Sequence, residues 1–337
     1  MKRVPKFAVL TLSAMLALSG CGMTSDPLPG TIGEDGQPAA VSTQDYVPAE
    51  VVKPKDGKKV KIGASFPLLD QFLQNVANSI KERAEAAGAE VSITSAEEKI
   101  EIQLNQIENF IASGVDALIV LPQDTATTAQ ITQKAKAANI PLVYVNRRPS
   151  ELPKGVPYVG SDSLVAGQLE MEQLAKLSNH QGNVAILQGD PTQEAAQQRT
   201  QGCKEVAAKY NMNVVFDQTG LWARDKGLAL AENLIQSGQQ VDVICANNDE
   251  MALGAINAFE NAGMLDKVVV GGVDATGDAL NAMAAGKLEV TVFQDAKGQG
   301  QAGVDTAIKM VNGDEVPDII NVPYQLVTPE NMSQFQQ

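Results

Sequence analysis

Four polar residues, Asn247, Asn248, Asp249 and Glu250, stand in a row within CANNDEMALGAINAF (residues 245–259), between the strand-like run VDVIC and a segment with helical apolar spacing. Two amides and two carboxylates at the end of a buried strand can cap the next helix or face a ligand. Asp249 is read as the N-cap, and with Glu250 as a residue that ends the strand and starts the helix. One cap suffices, which leaves Asn248 as the ligand candidate. A planar amide offers a donor and an acceptor side by side, which suits adjacent hydroxyls on a ring.

Other candidates for chemistry lead less far. Gly298 to Gly303, GQGQAG, fits G-x-G-x-x-G and follows a strand, but no full βαβ unit comes after it. It reads as a glycine-rich helix start. His180, the sole histidine, lies in the turn SNHQGN without metal-like neighbours and is expected at the surface. Cys203 in a helix and Cys245 in a strand read as buried free thiols, with a disulfide between them left open. No Ser-His-Asp order, zinc spacing or phosphate loop is found, so no catalytic residue, metal or cofactor is expected. Glycoside hydrolysis by paired carboxylates is the remaining enzymatic alternative.

The elements that would position such residues recur along the chain. From Val60 onward, short aliphatic runs such as VKIGASF, VDALIVL, PLVYVN, GNVAILQG and KVVVGGVD alternate with helically spaced segments. This predicts an α/β chain with two open, Rossmann-like parallel sheets of about five or six strands each, whose carboxyl strand edges face a shared cleft. At 337 residues and 44% hydrophobic content the chain can build two cores, and with 4% aromatics they must be aliphatic. Its 26 Lys and Arg against 40 Asp and Glu give a net charge of −14, which argues against a nucleic-acid partner or an anionic membrane as the ligand.

The N-terminus points to export. Lys2, Arg3 and Lys6 precede an apolar run, Phe7 to Leu18, and small residues lead to Cys21. Leu18-Ser-Gly-Cys21 resembles the bacterial lipobox, which implies a signal peptide over residues 1–20, lipidation of Cys21 and anchoring at the outer face of the cell membrane. Residues 21–59, rich in Pro, Gly, Asp and Glu without periodicity, read as a lipidated cysteine followed by a flexible tether.

NNDEMALGAINAFENAG, VGGVDATGDALNAMAAGKLEVTVFQDAKGQG, VYVNRRP and GCKEVAAKYNMNVVFDQTGLWARDKGLALAENLI occur in an order that resembles periplasmic sugar-binding proteins of the ribose and galactose type, the soluble components of ABC importers. VYVNRRPSELPKGVPYVGSD, with GNVAILQGD and VFQDAKGQG, looks most like the myo-inositol-binding branch. The resemblance implies a type I periplasmic binding fold with a three-segment hinge near Ser161-Asp162, Gln294-Asp295 and Pro323-Tyr324. The N-terminal lobe would take residues 60–161 plus 295–322, and the C-terminal lobe 162–294 plus 323–337.

It also implies site residues. Asp70 would accept from a hydroxyl and Phe72 would wall the ring; Asp70 and Leu73 depart from the usual asparagine and aromatic. Asn146 and Arg147 fall where the family has an acidic residue and an arginine, and Arg148 is expected to point to solvent. Arg199 matches an inward arginine, Trp222 an aromatic over the ring face, and Asp274 and Gln294 hydroxyl-binding positions. The implied function is monomeric capture of a neutral polyol ring, myo-inositol first and a monosaccharide such as glucose, galactose, ribose or xylose second, with delivery to an ABC permease. A sensor module serving a membrane kinase or chemoreceptor is the alternative.

Overall fold

The computed structural model describes residues 42–336 apart from residue 127; the signal peptide and the Cys21 lipidation site expected above lie outside the described residues. The aliphatic runs become strands and the spaced segments helices: β1 (Thr43–Asp45), β2 (Lys61–Phe66), α1 (Gln71–Ala87), β3 (Glu90–Ser95), α2 (Ile100–Ala112), β4 (Ala117–Val120), α3 (Thr128–Ala137), β5 (Leu142–Val145) and β6 (Tyr158–Gly160). There follow α4 (Ser163–Leu177), β7 (Asn183–Gln188), α5 (Glu194–Lys209), β8 (Asn213–Thr219), α6 (Arg224–Gln236), β9 (Val243–Ala246), α7 (Asp249–Asn261), β10 (Val269–Gly271), α8 (Gly277–Ala284), β11 (Thr291–Phe293), α9 (Ala296–Val311), β12 (Ile319–Asn321) and β13 (Gln325–Val327).

Two parallel sheets result, one with seven strands in the order β1-β12-β6-β5-β4-β2-β3 and one with four in the order β10-β9-β7-β8. The antiparallel pair β11-β13 extends the second sheet through bridges from Val290 to Gly271 and from Phe293 to Asp274. Each sheet is covered on both faces, which is why its strands are unbroken aliphatic runs. In β4, Ala117 and Ile119 pack toward α1 and α9, while Leu118 and Val120 pack toward α2 and α3. In β9, Ile244 and Ala246 face α6 and α7, while Val243 and Cys245 face α4 and α5.

The chain passes between the two sheets three times, from β6 into α4, from β11 into α9, and from β12 into β13. Two of the helices that begin at these passages are capped by the residue just after it. Asp162 accepts from Leu164 N at 3.1 Å, and Asp295 from Gly298 N at 2.8 Å. The GQGQAG segment lies inside α9, where a Cβ on Gly300 would come within 2.7 Å of Ser79 in α1. Its glycines serve close helix packing and form no phosphate loop.

Two expectations need correction. The stretch from Ser42 to Lys59 is part of the body. β1 pairs in parallel with β12, Tyr46 OH donates to Gln301 at 2.8 Å, and the buried Arg83 donates from Nη2 to the carbonyls of Ala49 and Glu50 at 3.1 and 3.0 Å. An extended strap held by a sheet edge and by single side chains has no period of its own, so its composition resembles a linker. The two cysteines are bonded to each other, joining α5 to β9. His180 is exposed and its ring lies 4.3 Å from that of Tyr210.

Two predictions follow from these ties. Arg83 also forms a two-pronged pair with Asp305, at 2.9 and 2.5 Å. Arg83→Met should therefore cost about 3–5 kcal/mol by leaving a buried carboxylate alone, and should open residues 42–57 to protease. Unchanged cleavage would show that the strap is held by other contacts. Replacing Cys203 and Cys245 together by alanine should cost about 2–4 kcal/mol in denaturant unfolding, since the bond closes a loop of 42 residues.

Candidate ligand-binding site

All the strand ends that matter converge on the cleft between the sheets. One cavity there is lined by Asp70, Phe72, Asn146, Arg147, Arg199, Trp222, Asn248, Asp274 and Gln294. The structure thus brings every residue named above for ligand contact around one space. It also includes Leu73, which stands where the family has an aromatic, and adds Ser163, Gln193 and Ala195, which were not anticipated.

From the first lobe, Asp70 caps α1, its Oδ1 accepting from Leu73 N at 2.7 Å. Asn146 sits just after β5 with φ 64°, a left-handed turn that asparagine tolerates better than most residues. The turn is fixed from two sides: Tyr158 OH donates to Asn146 O at 2.8 Å, and Asn146 Nδ2 donates to Gln299 at 3.0 Å. It delivers Arg147 into the cavity. Arg147 is buried, yet its hydrogen bonds to the carbonyls of Pro122 and Gln123 are long, at 3.4 and 3.5 Å. Burial pulls its pKa down to about 10, against the opposing pull of Asp70. Burial likewise raises the Asp70 carboxyl, while the Leu73 N–H and Arg147 hold it back. Arg148, expected in solvent, is instead 8% exposed and lies near the half-buried Glu194.

The second lobe contributes the more tightly held half. Arg199 donates to Asn247 O at 2.6 Å, to Gln294 Oε1 at 2.8 Å and to Tyr324 OH at 2.8 Å, and lies 3.8 Å from Asp274. Burial works against its charge, but Tyr324 and Asp274 outweigh that and raise its pKa. Burial raises the Asp274 carboxyl well above the usual range, with Arg199 opposing. Asp274 also has φ 125°, an uncommon backbone state for a non-glycine residue, of the kind that gathers at binding sites.

Trp222, at φ 69°, places its ring centre 5.6 Å from the Arg199 guanidinium, and its Nε1 donates to Gln193 at 3.1 Å. Gly189 lets the indole in: a Cβ there would fall within 2.2 Å of the ring. The capping assignment at α7 is also corrected. Asn248 is the N-cap, Oδ1 accepting from Met251 N at 3.0 Å while Nδ2 donates to Trp222 O at 3.1 Å. Asp249 is fully buried and accepts from Thr276 N at 2.8 Å and Thr291 Oγ1 at 2.7 Å, which ties the turn after β10 and the start of β11 to α7. Burial raises its pKa to about 7. Glu250 pairs with Arg224 at 2.8 Å.

Known proteins are similar to this chain in sequence and fold. Residues 62–315 match the periplasmic binding protein domain family. The chain belongs to that family. It is 41% identical over 284 residues to a Rhizobium meliloti protein named for rhizopine binding, covering 82% of this chain and 92% of the relative. It is similar to an ABC transporter solute-binding protein from Bacillus halodurans C-125 solved with bound myo-inositol, at 42% identity and TM-score 0.80, covering 84% of this chain and 99% of the other. A periplasmic solute-binding protein from Actinobacillus succinogenes 130z with bound D-allose aligns at 30% identity and TM-score 0.78, over 82% of this chain and 100% of that one.

The Gly189 contact can be tested directly. Gly189→Ala should displace the indole and weaken ligand binding at least tenfold, with quenching or a shift of the Trp222 fluorescence, the chain having one tryptophan. Wild-type affinity with an unchanged spectrum would remove Trp222 from the site.

Proposed function

We propose that this protein captures a neutral polyol ring outside the cell membrane, with myo-inositol first and a monosaccharide such as glucose, galactose, ribose or xylose second, and hands it to an ABC importer. One observation carries the reading: each lobe brings one arginine and one carboxylate to the cavity, Arg147 with Asp70 and Arg199 with Asp274. The formal charges cancel. A charged ligand would leave an uncompensated charge in a desolvated space, whereas ring hydroxyls give to carboxylates and take from guanidinium forks. The poorly filled donors of Arg147, and the buried Nε of Arg199, which lacks a partner among the described residues, supply the missing half of such hydrogen bonds.

The ring lies between lobes, so it bridges Asp70 and Arg147 on one side to Arg199, Asn248 and Asp274 on the other and favours the closed arrangement of a hinged pair. The two lobes would then present a joint surface to the permease. Lipidation at Cys21 would keep the protein beside that permease, as a monomer facing the periplasm or cell exterior. The myo-inositol in the Bacillus halodurans protein supports the first-named ligand.

A thermal-shift screen of inositols, pentoses and hexoses decides the ligand class. A ligand at one hundred times its dissociation constant should add about 2.7 kcal/mol of stability, and Asp274→Ala should lose most of that gain. Stabilisation by an amino acid or a peptide, with none from any polyol, would refute the assignment.

A further inference from the structure

A second space lies behind part of the ring cavity's wall. Phe72, Asp274 and Gln294 line the ring cavity and also a groove of about 640 Å³ between the lobes. That is ample for a group the size of a sugar, since small-molecule pockets span about 300–1,000 Å³. The groove's other walls come from both lobes: α1 presents Asn75 and Asn78, and α8 presents Asn281. Phe293 and Phe335 close one side, their ring centres 4.9 Å apart.

The chemistry of these walls repeats that of the inner site. Asn75 and Asn281 make no side-chain hydrogen bond to any described residue, so their donors and acceptors are available to an occupant. Aromatic faces cover the C–H side of a pyranose, and amides pair with its hydroxyls. Glu82 and Lys297, one acid and one base, also line the groove. Their charges offset, which again favours a neutral occupant.

We propose that this groove is a second subsite, and that it takes the glycosyl group of an O-glycosylated polyol whose polyol ring occupies the inner cavity. The proposal rests on the polyol reading of that cavity. The ring hydroxyl that faces the wall of Phe72, Asp274 and Gln294 is the position that carries the glycosidic oxygen. The two spaces share this wall, and Phe72 lies in the first turn of α1, where a change of rotamer would open the way.

Calorimetric titration of the mature chain with myo-inositol and with its mono-O-galactosyl isomers tests this. At least one isomer should bind within thirtyfold of myo-inositol itself. Asn78→Trp and Asn281→Trp, which fill the groove from exposed positions outside the ring cavity, should weaken that isomer at least tenfold and leave myo-inositol within twofold. The subsite is overturned if every isomer binds more than thirtyfold weaker than myo-inositol, or if the tryptophan variants weaken both ligands alike. Failure of myo-inositol itself to bind would defeat the inositol reading and the subsite with it.

Discussion

A buried guanidinium organises the ligand-facing half of this protein. Arg199 stands on α5, and its partners are the carbonyl of Asn247 just after β9, Gln294 at the second passage between lobes and Tyr324 at the third. A charge in that position is tolerable only when most of its donors are filled, because removing one partner of a buried ionic network costs several kcal/mol, and here Nε alone lacks a partner among the described residues. The same contacts that satisfy Arg199 therefore fix two of the three connections on which the lobes turn. The cavity wall and the lobe connections share one set of hydrogen bonds.

The first lobe is built differently. Its arginine, Arg147, is delivered by a left-handed asparagine and is only loosely satisfied by carbonyls. Gln299, fully buried, links that turn to the first passage by accepting from Asn146 at 3.0 Å and donating to Ser161 Oγ at 3.2 Å. On the proposed function the asymmetry has a physical consequence: the Arg199 half of the cavity is largely assembled without a ligand, and the Arg147 half would gain its best hydrogen bonds from one. Closure then has a free-energy source, since the open arrangement leaves those donors to water or to weak partners.

Much of this was legible in the sequence because parallel α/β sheets put their strand ends in one place. Once VDVICA and KVVVGGVD are strands, Asn248 and Asp274 must lie at the cleft, and family motifs supply the arginines and the tryptophan. What escaped notice depends on contacts distant in sequence. Tyr324 reaches Arg199 across 125 positions, and Gln193 acts through Trp222. The exchange of roles between Asn248 and Asp249 could not be foreseen, because either can cap a helix and only the distant Thr276 and Thr291 make Asp249 a tertiary tie. Arg148 reads as a surface residue until the neighbouring Glu194 is placed beside it. The strap after Ser42 has the composition of a linker, and only the partners on α1, α9 and β12 give it structure.

The central claim is that a neutral ring bridges the lobes and draws them together. Small-angle X-ray scattering of the purified protein, without and with saturating myo-inositol or the monosaccharide that binds most tightly, measures it most directly. The account predicts a smaller radius of gyration with ligand in the wild type, and a loss of that compaction in Arg147→Ala at ligand concentrations that saturate the wild type. An unchanged radius of gyration in the wild type, at concentrations where calorimetry shows the site to be full, would contradict it.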